Sequence, residues 1–154
     1  MNGVSVDRCG RCDLRHNYKD NMNAINIVYE FLEQAKTYYL ATVEDQQPRV
    51  RIYGTTLLFE GELYIMALRQ TQAVSQIAAN PRAEIATFCQ GKQLRLTCQL
   101  EETDRQEVRE AMAEKMPALK AAGGEKYRNF VMMRVTQAKA TIADMAGKGD
   151  TYTF

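Results

Sequence analysis

From Lys92 to Leu100 the chain reads KQLRLTCQL, and every second residue is apolar. Leu94, Leu96, Cys98 and Leu100 fall on one side of an extended backbone, while Gln93, Arg95, Thr97 and Gln99 fall on the other. No helix can use that period. Related strand-like segments precede it: YYLATVE, RVRIYGTTLLF, LYIMAL and AEIATFC are rich in β-branched and aromatic residues. They are punctuated by the turn cluster DQQP, the hairpin turn EGE and Gly91. Strands with one apolar face must bury that face against one another, and the natural solution is a small, mostly antiparallel barrel.

Helical periodicity interrupts this pattern in three places. MNAINIVYEFLEQAK carries Ile25, Val28, Leu32 and Ala35 at helical spacing, broadened by Ala24, Ile27 and Phe31, with Asn23 as the expected N-cap. A short helix is expected from Thr71 to the Asn80-Pro81 step. A third, TDRQEVREAMAEKM, has a Thr103/Gln106 capping box and a Val108, Met112, Met116 stripe. Pro117 and Gly123-Gly124 mark a loop, and NFVMMRVTQAKATIA returns to strand and closes the sheet. The expected fold is therefore mostly β within an α+β class. It has about six mainly antiparallel strands, an N-terminal helix, a short helix within the meander and a helix before the last strand. Residues 1–21 read as a polar N-terminal extension, and residues 22–154 as one domain.

Charge and motif content narrow the function. With 20 basic and 19 acidic residues the net charge is +1, so no basic field exists to hold nucleic acid or an anionic membrane. No apolar run approaches a membrane span and the first residues lack the apolar block of a signal peptide, which points to a cytoplasmic chain. The one histidine, His16, lies in the polar extension, which weakens any His-dependent hydrolase. Nucleophile-elbow, Walker A, dinucleotide-fingerprint and zinc-protease motifs are all missing. Cys9, Cys12 and His16 form C-x₂-C-x₃-H, three of the four ligands that a closed metal site needs. An inert tail is the favoured reading, ahead of a metal site or a redox pair; Cys89 and Cys98, on strands, read as small buried hydrophobes.

Two polar features stand out from the strand grammar. In RVRIYGTT, Arg49, Arg51, Tyr53 and Thr55 share one face, beside Gly54, where a flat ligand can approach the backbone. The alternative is a solvated strand face with a bulge. In LRQTQAVSQIAANP, Arg69, Thr71 and Gln72 surround the start of the short helix, whose unpaired N–H groups favour an anion. The alternative there is that Thr71 merely caps its own helix. If the EGE turn makes RVRIYG and LYIMALRQ direct neighbours, Arg51 approaches that helix start, and a guanidinium fork suits a phosphate.

Taken in order, FLEQAKTYYLATVEDQQPRVRIYG, FEGELYIMA, TQAVSQIAANPRAEI and GKQLRLTCQL resemble the pyridoxamine 5′-phosphate oxidase-like family of FMN-binding split barrels, in its small single-domain branch. The resemblance runs from Met22 through the last strand. It implies a split β-barrel, a homodimer with FMN sites at the subunit interface, and an oxidoreductase passing hydride or electrons through the flavin. A small-molecule substrate and NAD(P)H are the implied further partners. Carried over by position, Arg51 matches the strand arginine that holds the FMN phosphate. Ile52, Tyr53 and Gly54 match the stretch lying along the flavin, and Met66 and Ala67 match the contact pair of the next strand. Thr71 and Gln72 match the start of the phosphate-binding helix, and Gln93 matches a glutamine that approaches the flavin. The chain departs from the family where Gln72 and Ala73 replace an Arg-Lys pair and Thr56 replaces a lysine; Arg69 is the expected compensating cation. The arginine and histidine that clamp pyridoxamine phosphate have no match, which argues against vitamin B6 oxidation. The alternatives on the same fold are a non-catalytic module for flavin, haem or another flat ligand, and a deazaflavin-dependent reductase.

Overall fold

The computed structural model describes residues 12–124 and 128–154, with side chains described from residue 20 onward. The chain runs α1 (Cys12–Ala35), β1 (Tyr38–Glu44), β2 (Gln47–Tyr53), β3 (Thr56–Phe59), β4 (Glu62–Leu68), α2 (Gln72–Ala79), β5 (Arg82–Cys89) and β6 (Lys92–Thr103). It continues through α3 (Gln106–Lys115), α4 (Pro117–Ala122), β7 (Phe130–Asp144) and β8 (Gly149–Thr153). The strands form one sheet ordered β2-β1-β5-β6-β7-β4-β3, with β8 added to β7, and every pairing is antiparallel. The sheet does not close: β2 and β3 are its two ends, as in a split barrel.

The break between those ends falls inside one sequence segment. RVRIYGTTLLF reads as a single strand, but the chain leaves extended pairing at Gly54 and Thr55. Before the break β2 pairs with β1; after it β3 pairs with β4 at the far end of the sheet. The expected ladder between RVRIYG and LYIMALRQ is therefore absent. The two segments instead face each other across the split, stitched at the bend by the Thr55 hydroxyl, 3.3 Å from the Met66 carbonyl and 3.4 Å from its amide. Gly54 is needed there because a Cβ would lie 2.9 Å from the Lys36 carbonyl, just past the end of α1. The turns at Glu60-Gly61 and Gln90-Gly91 both have two residues of positive φ, matching the right-handed twist of their hairpins.

Other boundaries also differ from the sequence expectation. Helix α1 opens at Cys12, so Asn23 is an interior helical residue and not an N-cap. Extending an existing helix fixes one residue per hydrogen bond and needs no apolar stripe, which is why the polar stretch does not mark the boundary. The capping box at Thr103 does not form: Arg105 is the N-cap of α3, and Thr103 Oγ1 accepts from the Arg105 amide instead. Pro117 opens α4, where its missing N–H costs nothing. The last strand expected from sequence is followed by β8, entered through a turn in which Asp144 Oδ1 accepts from the amides of Ala146 and Lys148.

The interior is filled by the inward faces of the strands, with Val28 and Leu32 of α1 and Val74 and Ile77 of α2 packed among them. Leu94, Leu96, Cys98 and Leu100 are buried, as their alternation requires, and burial pushes the Cys98 thiol up to about 12. A second cluster joins Val108 and Met112 of α3 to Leu57, Tyr64, Phe130 and Met132 on the outer side of β3, β4 and β7. No helix among the described residues is long and apolar enough to cross a membrane.

Candidate functional site

The split opens into a cavity of about 500 Å³ lined by Arg51, Ile52, Tyr53, Gly54, Thr55, Met66, Ala67, Leu68, Thr71 and Gln72. Its volume lies in the range of small-molecule sites. Three elements build it. The end of β2 and the Gly54-Thr55 bend make one wall, the end of β4 makes the facing wall, and the start of α2 closes one end.

Register fixes which side of β2 turns inward. Arg51 pairs with buried Leu40 and Tyr53 with buried Tyr38, so both project to the barrel side; the Tyr38 and Tyr53 rings stack with centroids 6.1 Å apart. Burial raises the Tyr53 phenol above its ordinary value, against the opposing pull of the Arg51 charge and the Thr71 hydroxyl. Val50 and Ile52 point outward and are 62% and 68% exposed. The solvated-face reading of this strand is thus inverted: its polar side turns in and its apolar side faces out. Thr71 occupies the N-cap position of α2 without capping it, since its hydroxyl donates to the Leu68 carbonyl at 2.7 Å. The first amides of that helix are left without the side-chain acceptor that Thr71 was expected to supply.

Arg51 is held from behind. Its Nη1 donates to Thr42 Oγ1 at 2.8 Å and its Nη2 to Gln76 Oε1 at 2.6 Å, and Thr42 Oγ1 donates to the same Gln76 oxygen at 2.7 Å. Both acceptors are neutral. Arg49, Arg69, Arg95, Arg105 and Arg134, by contrast, each lie within ion-pair distance of a glutamate. The Arg51 charge also acts on Glu44, whose pKa is lowered chiefly by its hydrogen bond to Arg49. Among the described residues, no carboxylate, histidine or cysteine lines the cavity.

Eight of the residues expected to contact a cofactor line this one cavity: Arg51, Ile52, Tyr53, Gly54, Met66, Ala67, Thr71 and Gln72. Two do not. The Arg69 guanidinium is tied to Glu102 Oε1 at 2.8 Å and is not part of the cavity lining. Gln93 sits on β6 opposite Phe88, on the outer face of the sheet. Cys9 lies outside the described residues, as do the side chains of Cys12 and His16.

The family model for pyridoxamine 5'-phosphate oxidase matches residues 28–142, which spans all seven strands of the main sheet path apart from the last residues of β7. The chain belongs to this family. Among solved structures, a NimC/NimA family protein of Clostridium acetobutylicum is 31% identical, with a TM-score of 0.83 over 90% of this chain and 98% of that one. A pyridoxamine 5'-phosphate oxidase-related, FMN binding protein of Nostoc punctiforme is 17% identical, with a TM-score of 0.56 over 99% of both chains. A heme binding protein of Mycobacterium smegmatis, also 17% identical, has a TM-score of 0.62 over 96% of this chain and 60% of its own. At these lower identities the likeness is one of fold. No curated protein matches the sequence.

Thr55, read from the sequence on the polar face beside Gly54, also lines the cavity; the sequence reading missed three residues around it: Leu68 in the lining, and Thr42 and Gln76 behind Arg51. A signal existed for the last two. Thr42 follows Leu40 on the inward face of β1, and Gln76 falls among Ala73, Val74 and Ile77 on the buried side of α2. A polar residue on an otherwise buried face requires a partner, and here the partner is Arg51.

Proposed function

We propose that the chain binds FMN in the cavity between β2, β4 and α2 and uses it for small-molecule oxidation or reduction. The observation that carries this reading is the cavity's two-part chemistry. Strand backbone and the apolar side chains of Ile52, Met66, Ala67 and Leu68 offer room for a flat ring system. Arg51, free of any carboxylate ion pair, and the start of α2 offer a seat for an anionic tail. The flavin would supply the hydride or electron chemistry, and the protein would supply position and charge. Tyr53 is the cavity's one weakly acidic side chain, so the lining itself offers little acid–base chemistry. For a haem, the described lining offers Tyr53 and Met66 as side chains able to ligate iron, and no histidine or cysteine.

The same reading makes the working unit a homodimer. Val50 and Ile52 on β2, Tyr39 on β1 and Phe88 on β5 form an exposed apolar band on adjacent strands. Ile52 belongs both to this band and to the cavity. Gln93 lies beside Phe88 on that face, and the proposal assigns it to the flavin of the second copy.

The test is a visible spectrum of protein mixed with FMN and passed through a desalting column. Retention of a perturbed flavin spectrum, bleached by NADH or NADPH without oxygen, is the expected result. A colourless protein that leaves free FMN unchanged would sink the reading.

A further inference from the structure

The Arg51 guanidinium rests on a built platform that the flavin reading does not by itself require. Thr42 is 1% exposed and Gln76 5% exposed, so the two side chains are part of the core and cannot swing away. Their oxygens meet two of the guanidinium N–H groups and each other, and the remaining N–H groups of Arg51 have no acceptor among the described residues. Gln76 Nε2 is itself buried with no hydrogen-bond partner among the described residues. An unmet buried donor is costly, so the amide is held oxygen-first toward Arg51 at some expense.

The chemistry of the platform is its distinguishing property. A glutamate at position 76 would satisfy the same guanidinium at the same distance and form the stronger bond, as glutamates do for Arg49, Arg69, Arg95, Arg105 and Arg134. It would also cancel the charge. An amide and a hydroxyl orient the fork without placing a carboxylate in ion-pair contact with it, so its charge is left for an outside anion.

We infer that Gln76, assisted by Thr42, is the positioning residue for the anionic end of the site, a neutral clamp that keeps Arg51 oriented, and out of any ion pair, for a phosphate monoester. This rests on the flavin reading above, and it names the residues that make one cation suffice where Gln72 and Ala73 provide none. Neither Gln76 nor Thr42 touches the ligand; both act through Arg51.

The experiment compares FMN with riboflavin, which lacks the phosphate, by fluorescence titration of the wild type, Gln76→Glu and Gln76→Met, with a melting curve for each. Wild type is expected to bind FMN about ten- to a hundredfold more tightly than riboflavin, the worth of one or two charge-assisted hydrogen bonds. In Gln76→Glu that preference is expected to vanish while riboflavin affinity holds, because Arg51 gains an ion pair as the site loses its charge. A merely structural glutamine predicts the opposite pattern, with both flavins weakened together and a lower melting temperature, and that result overturns the clamp. Should Gln76→Glu fail to fold, Gln76→Met decides alone, with selective loss of FMN sustaining the inference and equal loss ending it. Equal wild-type affinity for the two flavins also overturns the clamp and leaves the flavin reading intact. If the wild type binds neither flavin, the flavin reading falls. Inorganic pyrophosphate then decides: a rise in melting temperature in wild type but not in Gln76→Glu sustains the clamp, and no rise overturns it.

Discussion

At the scale of single residues, the site depends on one charge and one missing side chain. Arg51 lies between the cavity and the Thr42–Gln76 pair, and the Thr42 to Gln76 hydrogen bond does not itself involve Arg51. Arg51→Met is therefore expected to cost about 1 kcal/mol of stability or less while weakening FMN about ten- to a hundredfold, with riboflavin unchanged. Parallel urea melts and flavin titrations measure the two effects separately. Gly54 behaves differently. A methyl group there meets the Lys36 carbonyl, a backbone atom that cannot rotate away, so Gly54→Ala must move either the end of α1 or the cavity wall. The expected outcome is a loss of about 1–3 kcal/mol together with weaker binding of both flavins, since the wall and not the phosphate seat is disturbed. The glycine was legible in the sequence as a place of close approach. That the approach includes the protein's own α1 end, from behind, was not, because Lys36 and Gly54 meet only once the barrel has folded.

At the scale of elements, alternation predicted most strands, and the failures share a cause. The period of KQLRLTCQL is local information, and its four apolar positions are buried as it implies. The destination of β2 is not local: a continuous run through Gly54 and a tight turn at Gly61 suggest a hairpin, yet the bend sends β2 and β3 to opposite ends of the sheet. Helix α1 and strand β8 were misjudged for a related reason, since helix propagation and pairing to β7 are settled by what already exists nearby. One inter-strand device gives a pH prediction. Arg134 on β7 donates to Glu62 of β4 and Glu101 of β6, each at 2.8 Å. Burial works to raise the Glu62 pKa, but hydrogen bonds from Tyr64 and Arg134 outweigh it and the net shift is downward; for Glu101 the Arg134 hydrogen bond leads the same downward shift. Both carboxyls are thus more acidic folded than unfolded. Their contribution is present above the unfolded value of 4.5 and is lost as pH falls through the lower folded values. Arg134→Met is expected to be less stable than wild type at pH 7, with the two stabilities converging below about pH 4. Urea unfolding at neutral and acid pH checks this, and a constant gap across the range would contradict it.

At the scale of the whole molecule, an open sheet with an apolar outer band is an unfinished surface. The strands β2, β1 and β5 carry Val50, Ile52, Tyr39 and Phe88 outward at more than half exposure, although their inward faces already fill the barrel. Single exposed apolar side chains need no explanation, but a contiguous band beside a sheet edge invites association. A second copy presents the same band, and two-fold pairing lets each cover the other. The band also borders the cavity through Ile52, so on the proposed dimer a second copy covering the band would also cover that side of the cavity. The consequence is a concentration dependence that a monomeric flavoprotein lacks: FMN binding should favour the dimer, and dilution should release both. Val50 and Phe88 lie on the band outside the cavity lining, which makes them the positions to alter. Val50→Asp combined with Phe88→Asp is expected to yield a folded monomer by analytical ultracentrifugation, with FMN affinity reduced at least tenfold although no cavity residue has changed. Retained dimerisation would place the interface elsewhere. A monomer that binds FMN as tightly as wild type would show that each split barrel holds its flavin alone, and Gln93 would then have no route to it.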